Sequence, residues 1–321
     1  MTRRLELPTL EEIRAAQERI RDVAVRTPLL RLHVDAPGEI WLKCENLQPI
    51  GSFKIRGAAN AMELLSRASL ARGVVTASAG NMAQGVAWCA RRFGIPCTVV
   101  VPEHAPEVKV RAIERLGASV VKVPFDAWWR AFEERRCEGI EGTFVHAFAD
   151  PAVIAGNGTI GLEIVEELPD VGAVLVPFGG GGLSSGVGAA IRALAPRAAV
   201  HACEVATAAP LAASLRAGAP TNVDYTPSFV DGIGGKGVFP EMWPLVRALV
   251  AGSFVVSLEE AAAALRLLAE RARIVAEGAG AVPVAAALQG RAGGAAKVVC
   301  IVSGGNIDPQ NVAAILSGTM P

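Results

Sequence analysis

Two open, twisted, parallel-sheet α/β units are what this sequence predicts. Three observations carry that reading: short apolar runs lack polar alternation, helical stretches rich in alanine separate them, and they come in two series along the chain. A strand buried on both faces needs no polar side, and the helix after it returns the chain for the next parallel strand. The first element is an amphipathic helix. Thr9 and Glu12 form a capping box, Leu10, Ile13, Ile20 and Val23 share a face, and Pro28 ends the unit. Residues 73–77, 97–101, 119–123 and 143–146 then read as strands of the first series. Residues 173–177, 199–203 and 297–302 form the second. In open sheets of this kind ligands sit beyond the carboxyl ends of the strands, so the loops leaving these runs are where chemistry is expected.

Composition excludes several classes. The chain has 321 residues, 51% of them apolar, which is enough for one large or two medium cores. Basic and acidic residues balance at 31 each, so no excess field exists to hold nucleic acid or an anionic membrane. No charged-then-apolar leader and no membrane-length apolar run is present, and a cytoplasmic location is expected. Six cysteines are scattered without a Cys-x-x-Cys pair, and His33, His104, His146 and His201 show no ligand spacing. No metal site is expected.

Five segments carry candidate chemistry. Lys54 lies between a Gly51-Ser52 turn and the start of a helix, where partial desolvation would give a neutral amine able to condense with an aldehyde. The small residues of Arg56-Gly57-Ala58-Ala59 after it read as a helix surface on which a flat cofactor can lie. Ser78-Ala79-Gly80-Asn81-Met82 joins a strand to a helix, so its amides and polar side chains can face a carboxylate. Gly179-Gly180-Gly181-Gly182-Leu183 also joins strand to helix, and consecutive glycine amides there can close around a phosphate. No Gly-Lys-Ser/Thr follows, so this is not a nucleotide P-loop. Strict Gly-x-Gly-x-x-Gly runs at Gly156/Gly158/Gly161 and Gly232/Gly234/Gly237 lack the strand, helix and acidic residue of a dinucleotide site. The last strand leads to Ser303-Gly304-Gly305-Asn306, and Glu277 precedes Gly278-Ala279-Gly280 in an apolar setting.

The run Gly51-Ser52-Phe53-Lys54-Ile55-Arg56-Gly57-Ala58 resembles the lysine segment of fold-type II pyridoxal-phosphate enzymes, in the serine/threonine dehydratase and serine racemase branch. The other segments follow in that family's order. The resemblance implies a tryptophan synthase β-like fold with the active site between two domains: residues 69–147 as the small substrate-loop domain, and 1–68 with 148–321 as the large one. It implies pyridoxal 5'-phosphate as cofactor, with Lys54 as both attachment point and general base. Phe53, Asn81, Gly179, Gly180, Gly181, Gly182, Leu183, Ser303 and Glu277 would contact the cofactor; Ser78, Ala79, Gly80, Asn81 and Met82 would contact the substrate. A serine rather than a carboxylate at the ring nitrogen leaves a weaker electron sink, which favours elimination.

The activity so implied is conversion of a β-hydroxy-α-L-amino acid, L-threonine or L-serine, to a 2-oxo acid and ammonia. The departures from the pattern are informative. Ala79 stands where racemases carry a second, serine base, and Met82 stands where the family has histidine. A thioether there suggests a bulkier β-substituent, so an L-threo-phenylserine dehydratase is the main alternative. A β-replacement transferase, a racemase and a non-catalytic amino-acid-binding relative rank lower. Glu204 matches the family's divalent-metal acid, but Pro210 replaces the second acid and has no side-chain oxygen to offer. Asp231-Gly232 resembles a loop near the cofactor, and Gly156-Asn157-Gly158-Thr159 a segment that packs rather than reacts. A homodimer is expected. The chain ends soon after the Ser303 loop, so neither the regulatory domain of biosynthetic threonine dehydratases nor feedback by isoleucine is expected.

Overall fold

The structure is a computed structural model that describes residues 5–292 and 294–321. Among the described residues, ten strands form two sheets: β1 (Leu29–Leu32), β2 (Glu39–Lys43), β3 (Val74–Ala77), β4 (Cys97–Pro102), β5 (Ser119–Val123), β6 (Thr143–Phe144), β7 (Ala173–Pro177), β8 (Ala199–Val205), β9 (Gly252–Val256) and β10 (Lys297–Ile301). The larger sheet runs β1-β2-β10-β7-β8-β9 and the smaller β5-β4-β3-β6. β1 pairs antiparallel with β2, and the other pairings are parallel. The first predicted series is the smaller sheet. The second supplies β10, β7 and β8 at the centre of the larger one.

Three strands of the larger sheet escape a search for apolar runs. β1 and β9 are edges, and β1 exposes two of its four residues. β2 carries Lys43, which is wholly buried because its Nζ meets Glu163 Oε2 and the Thr27 carbonyl, each at 2.6 Å. A buried charge is tolerated only with such partners, so the pattern hides the strand.

Helix packing places the site. Glycines let three helices approach backbone to backbone: Lys54–Glu63, Pro151–Glu167 and Gly182–Leu194. A Cβ on Gly156 would lie 2.5 Å from the Arg56 carbonyl oxygen, and one on Gly186 would lie 2.3 Å from that of Ile154. The Gly156/Gly158/Gly161 run is therefore a packing device. Arg56 is the largest fully buried side chain, bonded to Glu45 at 2.8 Å and Glu163 at 2.7 Å. Thr159 Oγ1 accepts a further bond from it at 3.0 Å.

This corrects the expectation for residues 56–59. Arg56 turns into the ion network, a Cβ on Gly57 would lie 2.7 Å from Val153, and Ala58 and Ala59 are fully buried, so no face remains for a flat ligand. The core under the smaller sheet also takes in Ile20, Ile50, Ile55 and Met62, so the Lys54–Glu63 helix is wedged between the two layers.

Candidate active site

Lys54 is the first residue of its helix and sits beside the turn after β6 and the loop after β10. Its Nζ donates to the Ala147 carbonyl at 2.7 Å and lies 5.1 Å from the Phe53 ring centroid. Burial pushes the amine down from 10.5 to about 8, against the opposing charge of Glu277. The loop after β10 clamps the lysine segment. Phe53 N donates to the Ser303 carbonyl at 3.0 Å, Gly305 N donates to the Gly51 carbonyl at 2.9 Å, and Ser52 bridges Gly304. Gly51 has φ +70°, a turn conformation that suits glycine, and a side chain there would strike Asn306 at 2.8 Å. Ser303 is thereby buried at the end of β10, next to the lysine.

The loop after β3 is tied to the same place by side chains. Asn81 opens the helix Asn81–Phe93, and its Nδ2 donates to both Glu277 oxygens at 3.0 Å. Asn306 Nδ2 donates to Asn81 Oδ1 and to the Ile50 carbonyl, each at 2.8 Å. Glu277 is buried, which raises its carboxyl to about 7; the Asn81 amide acts the other way and the Asp231 charge adds to the rise. Only glycines fit around it. A Cβ on Gly304 would lie 2.6 Å from Glu277 Oε1, and one on Gly232 3.1 Å from it. Asp231 itself pairs with Lys109 at 2.5 Å.

The four glycines after β7 have separate reasons. Gly181 caps the helix Gly182–Leu194 at φ +89°. A Cβ on Gly180 would fall 2.1 Å from Phe148 Cδ1, and one on Gly182 2.8 Å from Phe148 Cβ. Gly179 differs, since the nearest atom to its Cβ position is 3.7 Å away. That open face, at the amide end of a buried helix, suits an anion.

The family model for pyridoxal-phosphate dependent enzymes matches residues 20–304. The chain belongs to that family. The L-threonine ammonia-lyase of Thermotoga maritima is 46% identical over 314 residues, which cover 96% of this chain and 78% of the relative. Serine racemase from Dictyostelium discoideum superposes with a TM-score of 0.84 at 35% identity, covering 94% of this chain and 99% of the other. The processed form of threonine deaminase isoform 2 from Solanum lycopersicum also gives 0.84, at 30% identity, covering 99% of this chain and 98% of the other.

Within this pyridoxal-phosphate dependent enzyme, Asn81, Glu277 and Asn306 are linked to the Lys54 segment, whereas Met82 and the Leu183 side chain turn into the core. Ser78, Ala79, Gly80 and Asn81 are partly accessible, and Ser78 Oγ accepts the Gly80 amide at 3.2 Å. Met82 is 2% exposed, in the core with Val74, Val86 and Ile55. It does not open to the cleft, so the inference of an apolar substrate neighbourhood from Met82 is withdrawn. Leu183 is likewise buried, in the core between helix and sheet. Glu204 caps a helix instead of facing outward: its oxygens accept the Leu211 and Ala212 amides at 2.8 Å and the Ser253 hydroxyl at 2.6 Å. Pro210 begins that helix. Among the described residues, no group of three or more His, Cys, Asp or Glu side chains is placed to share a metal ion. Among the described residues, no helix is long and apolar enough to cross a membrane.

Sequence reasoning assigned no role to Asn306 or to the 146–149 turn. Both follow strand ends, which is the signal that could have found them.

Proposed function

We propose that this enzyme converts a β-hydroxy-α-L-amino acid, L-threonine or L-serine, to a 2-oxo acid and ammonia. The carrying observation is the Lys54 amine, lowered to about 8, set between the Ser303 loop and the Ala147 turn whose Phe148 backs the glycine loop. The names of the relatives, threonine ammonia-lyase and threonine deaminase, support the same reading.

The residues fit the family's cofactor. The glycine loop leaves an open face at Gly179, and a desolvated amine stands ready for an aldehyde. In this reading Lys54 holds pyridoxal phosphate, the amides of Gly179, Gly180, Gly181, Gly182 and Leu183 take its phosphate, and Phe53, Asn81 and Ser303 hold the ring. Glu277 orients Asn81 through the bonds at 3.0 Å. When bound, the cofactor supplies a carbonyl for the substrate's amino group and a ring that spreads charge left at the α-carbon.

This chain's residues do the rest. Burial favours the neutral form of the Lys54 amine, so it can take the α-proton. The Ala79 and Asn81 amides bind the substrate carboxylate, since the Ser78 amide donates to the Val100 carbonyl at 3.1 Å and the Gly80 amide to Ser78 Oγ. Ala79 has no side-chain base, so the proton leaves and returns on one face only, which favours elimination over racemisation. Residues 69–147 form the substrate-loop domain and 1–68 with 148–321 the larger one. A cytoplasmic homodimer belongs to the same reading.

The test offers cofactor-loaded protein L-threonine, L-serine and L-threo-phenylserine separately and follows 2-oxo acid release. Release from threonine or serine is expected. Release from phenylserine alone, or from none, would contradict the proposal.

A further inference from the structure

The turn leaving β6 joins the two parts of the site that a cofactor has to span. His146 is 2% exposed, and its Nδ1 accepts the amides of Phe148 at 3.3 Å and Ala149 at 2.8 Å. Between His146 and those amides the Ala147 carbonyl points at Lys54 Nζ, 2.7 Å away. One residue later, Phe148 stands against Gly180 and Gly182, leaving no room for a side chain at either. Phe132 lies 4.4 Å from the imidazole and Phe148 4.8 Å, centroid to centroid, so the ring is fixed on two sides. Phe239 packs 5.0 Å from Phe148.

We propose that His146 is a positioning residue for the cofactor site. Its acceptor nitrogen folds residues 146–149 into a turn that offers Lys54 a resting acceptor when displaced and backs the glycine loop. An imidazolium has no acceptor and could not make this turn. Burial, helped by the charges of Arg135 and Lys54, holds the ring neutral by pushing its pKa down to about 3. The inference rests on Lys54 being the cofactor lysine and is independent of which amino acid is consumed.

Three variants test it. His146→Asn keeps an acceptor where Nδ1 lies, His146→Gln moves it outward by one carbon, and His146→Leu removes it. Each apoprotein is titrated with pyridoxal phosphate by visible absorbance, with its thermal midpoint and the pH profile of kcat/KM recorded. His146→Asn should bind cofactor within about threefold of the parent; Gln and Leu should bind about tenfold or more weakly, since the turn amides lose their partner. The Asn profile should overlay the parent's, because a ring held neutral adds no inflection.

Parent-like binding by Gln or Leu would overturn the proposal, as would equal losses in Asn and Gln. A shifted pH profile in Asn would also overturn it, by making the imidazole a proton carrier. If His146→Leu does not fold, the Asn and Gln pair decides alone. A parent that captures no cofactor would count instead against the reading of Lys54.

Discussion

Substituting alanine at Gly179 and at Gly180 should give opposite phenotypes from adjacent glycines. At Gly180 the new methyl would fall 2.1 to 2.3 Å from three Phe148 ring atoms. That ring cannot easily retreat, with Phe132 5.6 Å and Phe239 5.0 Å from its centroid. Overpacking of this kind costs about 1–3 kcal/mol, or roughly 1.5–4.5 °C in thermal midpoint for a chain of this size. At Gly179 nothing lies within 3.7 Å and the backbone is not left-handed, so the apoprotein should lose nothing and can gain a few tenths of a kcal/mol from a stiffer unfolded chain. The methyl would instead occupy the face proposed to take the phosphate. Cofactor affinity should fall about tenfold or more, equivalent to about 1.4 kcal/mol. Thermal scans of both apoproteins, with pyridoxal phosphate titrations by visible absorbance, measure the two effects separately. Parent-like cofactor affinity in Gly179→Ala would refute the assignment of the phosphate face. Parent-like stability in Gly180→Ala would refute the packing argument.

The Lys54 amine should set the pH dependence of cofactor capture. Capture by the apoprotein should climb with pH and level off above about 8, because the neutral amine reacts; a rise continuing to 10.5 would show an ordinary lysine. The same depression means the folded state holds fewer protons than the unfolded chain between those values, so Lys54's contribution to apoprotein stability rises with pH from about 8 to 10.5. Arg56→Met should cost about 3–5 kcal/mol by denaturant midpoint, since Glu45 and Glu163 lose their shared buried partner; a loss below about 1 kcal/mol would contradict the network's role. Ala79→Ser should add slow racemisation of L-serine, and chiral chromatography showing no D-enantiomer would exclude it.

Much of the site was legible because its chemistry sits where strands end. Val74–Ala77, Ala173–Pro177 and Lys297–Ile301 are buried on both faces, so each reads as an unbroken apolar run followed by its loop. The Lys54 segment, the glycine loop and Ser303 could then be placed before any contact was known. Met82 was misplaced for a reason the sequence contains: Met82, Val86, Cys89 and Ala90 repeat at helical spacing and share the buried face of Asn81–Phe93. Its neighbour Asn81 faces the site, so adjacency in a motif does not mean adjacency in function. Contacts distant in sequence were out of reach. Asn81 meets Glu277 from 196 residues away and Asn306 from 225, and no local pattern announces either. Arg56 shows the same limit, since its partners Glu45 and Glu163 become visible only when the chain packs around it.

In the proposed reading Lys54 carries the cofactor. Borohydride reduction of the loaded enzyme, followed by peptide mapping by mass spectrometry, tests it most directly. A pyridoxyl adduct on Lys54 is predicted; an adduct on any other lysine, with Lys54 unmodified, would contradict the account.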